Sequence, residues 1–109
     1  MLSRIKILYT PAALDDLDEI FSYIAKDNEN SAEKLLKKFD DSIANLADFP
    51  NLGSVLSEDE FTFISSGYRF IMVHPYMVFY RIINNAIIIH RILHGRRDYL
   101  RNIFEIQEP

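Results

Sequence analysis

The stretch YMVFYRIINNAIIIHRILH, Tyr76 to His94, decides the fold. Two apolar runs rich in aromatic and β-branched residues flank Asn84-Asn85, and asparagine tolerates the left-handed backbone of a tight two-residue hairpin turn. The pattern predicts two antiparallel strands, from Tyr76 to Ile83 and from Ala86 to Leu93. Such a turn sets a register in which Ile83 faces Ala86, Arg81 faces Ile88 and Phe79 faces His90. On that register Arg81, His90 and His94 share one face of the ribbon, and Arg91 points from the other.

Working outward, the residues from Tyr68 to His74 read as a third strand, preceded by a polar loop over 50–66 that includes SEDE. At the other end, RIKILY (Arg4 to Tyr9) reads as a short buried strand. Thr10-Pro11 then supplies an N-cap and a proline at the first helical position, and Asp15 and Asp16 suit the positive end of the dipole. Leu14, Leu17, Ile20, Phe21 and Ile24 repeat at helical spacing, so a first helix runs to about Lys26. Ser31 offers a second N-cap, with a stripe of Ala32, Leu35, Leu36, Phe39, Ile43 and Leu46 behind it, and Pro50 ends that helix. After Gly95, RRDYLRNIFE reads as a short helix or tail with Tyr99, Ile103 and Phe104 as docking residues. The expected fold is α+β: an N-terminal strand, then a two-helix hairpin packed on a small, mainly antiparallel sheet of about four strands, then the short C-terminal helix or tail.

At 109 residues the chain is expected to form a single domain, 1–109. The absence of cysteine removes disulfides and thiolate metal sites and fits a reducing compartment. No apolar stretch is long enough to span a membrane, and MLSRIKILY lacks the features of a signal peptide, so the expected location is cytoplasmic. The net charge of −4 argues against a generally basic nucleic-acid binder, but it conceals a polarity. Residues 1–60 hold six basic and thirteen acidic side chains, whereas residues 61–109 hold six basic, all arginine, and three acidic. Arginine's planar fork suits carboxylates and phosphates, so the C-terminal part suggests a site for an anionic partner, against the alternative of incidental surface charge.

These segments together resemble the RelE/ParE superfamily of bacterial toxins. ALDDLDEIFSYIAKDNENSAEKLLKKFDDSIANLADFPNLGS has the layout of its helical hairpin, with A-x-x-D-L-x-x-I-x-x-Y-I and a P-x-x-G after the second helix. YMVFYRIINNAIIIHRILHGRRD is similar to the ParE-type ending, a YxIFYR strand, a short turn and a strand closing in R-x-L-H-x-x-R-D. The likeness covers roughly residues 5–100. It implies the toxin of a type II toxin–antitoxin (plasmid stabilisation) module, neutralised by a cognate ParD-like antitoxin in a hetero-oligomer. A ParE-like toxin is expected to inhibit DNA gyrase by binding. The alternatives are a RelE-like ribosome-dependent mRNA endoribonuclease and a degenerate toxin that only binds antitoxin.

RelE-like sequences carry two lysines on the central strand, an arginine on the next and a C-terminal tyrosine. Aligned on the hairpin, this chain places Tyr68 and Phe70 at the lysines, Met77 at the arginine and Ile103 at the tyrosine, and keeps only Arg97. No catalytic residue is assigned; a ribonuclease would have to use His90, His94 and Arg97 as acid, base and cation. Candidates for target binding are Arg69, which precedes Tyr76 at the ParE-like spacing, with Arg81, His94, Arg96, Arg97, Asp98 and Tyr99. Candidates for antitoxin binding are Leu17, Phe21, Ile24, Tyr80 and Arg91, in a groove expected to take an amphipathic, acidic segment. For Arg81 and Arg91 the competing expectation is an internal salt bridge, with Asp41 or Glu33 as partners, and for the histidines a structural hydrogen bond. No metal site and no cofactor are expected.

Overall fold

The computed structural model describes residues 5–55 and 67–95. Thr10 begins the helical layer as read from the sequence: its side chain accepts from the Ala13 amide at 3.0 Å, and Pro11 opens α1 (Pro11–Ala25). Before it runs β1 (Lys6–Tyr9). The second helix, α2 (Glu29–Asp48), is capped three residues earlier than expected, by Asn28 and not Ser31, and the Asn28 side-chain oxygen accepts from the Ser31 amide at 3.0 Å. Ser31 is therefore the residue capped, not the cap.

The sheet has five strands where about four were expected. The addition is β2 (Ser54–Val55), a two-residue edge strand in the stretch read as loop, antiparallel to β3 (Arg69–Val73). A turn at His74-Pro75 leads to β4 (Tyr76–Ile83), and Asn84-Asn85 to β5 (Ala86–His94). The order β1-β5-β4-β3-β2 is antiparallel except at β1, which pairs with β5 in parallel. Asn84 and Asn85 both take positive φ, 48° and 63°, the backbone that lets a two-residue turn match the twist of its strands.

The helices cover one face of the sheet. Phe39, Ile43 and Leu46 of α2 and Ala13 of α1 pack with Tyr76, Val78 and Tyr80 of β4 and Ile87, Ile89 and Ile92 of β5. Burial of that apolar surface is the dominant stabilising contribution. The expected C-terminal helix or tail, with Tyr99, Ile103 and Phe104, lies outside the described residues.

Candidate functional site

A bulge in β5 arranges the candidate residues. Ile83 faces Ala86 and Arg81 faces Ile88 as expected, but Tyr80 then pairs with Ile89 and Phe79 with Arg91, leaving His90 as the extra residue. Every side chain beyond it is displaced by one position. His94 therefore comes opposite Tyr76, on the helix-covered face, and not beside Arg81 and His90. The expectation that all three share a face is corrected by this one inserted residue, which a count of strand periodicity does not reveal.

The bulge is held from α1. The Thr10 hydroxyl donates to the His90 carbonyl at 2.8 Å, and the Thr10 amide donates to the Ile89 carbonyl at 3.0 Å. Asp16 then accepts three hydrogen bonds, from Arg91 Nε (2.8 Å), Arg91 Nη2 (2.9 Å) and the Ile92 amide (2.9 Å). The side chains of Arg91 and Asp16 are 20% and 9% exposed, so this fork-on-carboxylate pair is largely shielded from water. Arg91 thus forms the internal ion pair weighed from the sequence, but its partner lies on α1 and is neither Asp41 nor Glu33 of α2. Asp16, read from the sequence as a charge at the helix's positive end, lies beyond the first turn and braces β5 instead. Its signal was available: it falls between Ala13 and Ile20 at helical spacing, a carboxylate within an apolar stripe.

Arg69 is also used internally. Its guanidinium donates to the Gly53 carbonyl at 2.9 Å and to the Asn51 carbonyl at 3.4 Å. Tyr80, fully buried, donates from its hydroxyl to the Pro50 carbonyl at 2.7 Å and accepts from the Gly53 amide at 2.9 Å. Burial pushes the Tyr80 pKa up, against the smaller opposing pulls of the Gly53 amide and Arg69. A Cβ on Gly53 would sit 2.7 Å from both the Phe70 carbonyl oxygen and the Tyr80 hydroxyl, so the position admits only glycine. The P-x-x-G motif is thus the loop that Arg69 and Tyr80 clasp against β3 and β4. Tyr80, a candidate for antitoxin binding from its sequence, is fully buried and anchors that loop.

Arg81 is placed differently. It lies over the Tyr68 ring, 5.1 Å from its centroid, and among the described residues it has no carboxylate partner. His90 meets the same ring edge-on at 5.1 Å, and its buried Nε2 has no hydrogen-bond partner among the described residues. Burial, and secondarily the Arg81 charge, hold the His90 pKa below its ordinary value. His94 stacks edge-on against Tyr76 at 5.3 Å, which in turn packs on Phe39, and the His94 Nδ1 likewise has no partner among the described residues. Tyr76 has its pKa raised, chiefly by burial and then by nearby Tyr23. Phe70 stacks on Phe79 and Met77 is buried, so aromatic and apolar side chains occupy three of the positions where RelE-like chains place cations.

On the helical side, Leu17, Asp18 and Phe21 of α1 and Leu36 of α2 line a groove, and Ile24 is half-buried farther along α1. Arg96, Arg97, Asp98 and Tyr99 lie outside the described residues. Among the described residues, no three His, Asp or Glu side chains converge as a metal site, and no helix is long and apolar enough to cross a membrane.

A helical hairpin on one face of this five-stranded mixed sheet is the RelE/ParE-like fold. Three solved structures share the fold. The chromosomal ParDE toxin–antitoxin system of P. aeruginosa matches with a TM-score of 0.68 at 23% identity, over 85% of this chain and 98% of that one. The RelBE2 toxin–antitoxin complex of Mycobacterium tuberculosis matches at 0.58 and 17%, over 84% and 99%. The YoeB dimer of Staphylococcus aureus matches at 0.59 and 19%, over 85% and 99%. No curated protein sequence matches significantly. Residues 7–99 match the family described as the ParE toxin of the type II parDE toxin–antitoxin system, and the chain belongs to that family.

Proposed function

We propose that this ParE-family toxin acts by binding DNA gyrase, performs no chemistry of its own, and is held in check by a ParD-like protein antitoxin. One observation carries the non-enzymatic part: the β5 bulge puts His90 and His94 on opposite faces of the sheet. Cleaving RNA through its ribose hydroxyl needs a base and an acid on either side of one phosphorus atom, with cations around it. Two histidines separated by the sheet do not meet one phosphate. The aromatic and apolar side chains at the RelE cation positions point the same way.

The surface left for a target is the sheet face away from the helices, where Arg81 projects over Tyr68 beside His90. Its half-buried guanidinium on an aromatic platform has the character of an interface anchor. The antitoxin reading rests on the groove lined by Leu17, Phe21 and Leu36, on the opposite side of the molecule. The test is a gyrase supercoiling assay with purified protein. Inhibition that weakens at least about tenfold in Arg81→Ala, the size of a modest anchor effect, is expected. Full supercoiling at saturating toxin overturns the reading.

A further inference from the structure

The α1–α2 groove has a charge signature opposite to the one the sequence suggested. Its floor is apolar: Leu17, Phe21 and Leu36 line it, and Leu14, 54% exposed, extends the stripe by a turn. Its banks are acidic. Asp18 of α1 lines the groove directly. Glu33 and Asp40, three residues before Leu36 and four after it, stand on the same flank of α2, and both are exposed. No basic residue occurs anywhere in α1. Of the α2 lysines, Lys34 and Lys38, two residues from Leu36, fall on the far side of the helix, while Lys37, on the flank of Glu33 and Asp40, is paired with Asp41 at 3.4 Å.

An occupant that seats apolar side chains between these banks brings its flanking residues close to three carboxylates. Acidic flanks would be repelled there, and neutral ones would leave the rim uncompensated. The internal use of Arg69 and Arg91 also removes two of the cations that an acidic segment was expected to meet.

We propose that the antitoxin segment seated in this groove is a basic amphipathic helix. Its apolar residues recur at i, i+3 or i+4, and i+7 over Leu14, Leu17, Phe21 and Leu36, and its lysines or arginines flank that stripe to meet Asp18, Glu33 and Asp40. This rests on the antitoxin reading above and adds the partner's chemistry.

The experiment titrates the full-length toxin with the antitoxin encoded in its own operon, at low and high salt, by calorimetry. Three proteins are compared: wild type, the charge-reversed D18K/E33K/D40K, and the groove-filling L36E, each checked by circular dichroism. Wild-type binding is expected to weaken with salt, the charge-reversed toxin to bind at least about tenfold more weakly with that salt dependence lost, and L36E to lose binding. If L36E loses binding while the charge-reversed toxin binds as tightly as wild type or tighter, the basic helix is wrong and the groove still holds the antitoxin. If L36E binds like wild type, the groove is not the antitoxin's seat and both statements fall.

Discussion

Asp16 satisfies two donors of Arg91 and one backbone amide of β5 from a single carboxylate. Removing it takes away these three bonds in a largely shielded position, and Asp16→Ala is expected to cost about 3 kcal/mol, the scale of a broken buried pair. Urea unfolding checks this; a loss below about 1 kcal/mol, typical of an exposed pair, would mean water reaches the site. His90 gives a pH signature. Its folded pKa is depressed, by burial first and the Arg81 charge second, with Tyr68 as the neutral group facing it. The unfolded chain, with its histidine near the ordinary value of about 6.5, takes up a proton first as the pH falls. Stability from this group is therefore complete above about 6.5 and drains away below it, toward the folded pKa. His90→Gln should flatten that decline in urea midpoints across mildly acidic pH, and an unchanged slope would locate the proton elsewhere.

At the scale of elements, Thr10 couples the start of α1 to the β5 bulge, as both N-cap and donor to the His90 carbonyl. Thr10→Val keeps the shape and loses both bonds, so a destabilisation of about 1–2 kcal/mol is expected from chemical denaturation, and none would show the cap to be dispensable. The clasp on the P-x-x-G loop makes a parallel case. Tyr80→Phe leaves the Gly53 amide and Pro50 carbonyl unsatisfied, at about 1–3 kcal/mol by thermal melting. The hairpin turn was legible in sequence, because Asn84-Asn85 leaves little choice of turn and fixes the pairs nearest it. The bulge was not, since inserting one residue alters no periodicity within either flanking run. The helices were legible to within a few residues. The cap shifted from Ser31 to Asn28 because a polar turn with several capping residues offers more than one start. Among the site residues, Arg81 is half-buried over the Tyr68 ring. Arg69, Tyr80 and Arg91 are consumed by internal contacts, which depend on tertiary neighbours up to 75 positions away.

For the whole molecule, the charge polarity of the sequence becomes a division between layers. The helical layer presents an apolar groove with acidic banks. The sheet places one described arginine, Arg81, on an aromatic platform on the far side and uses the other two as internal braces. Two surfaces facing away from each other suit a protein that one partner restrains while another is its target. The central claim is that this sheet grips and does not cut. It is tested most directly by supplying purified toxin, wild type and H90A/H94A, to translating ribosomes with a reporter messenger RNA and, in parallel, to gyrase. Intact transcripts with both proteins, together with supercoiling inhibited equally by both, are the predicted result. Translation-dependent cuts that disappear in H90A/H94A, with gyrase turning over freely, would contradict it.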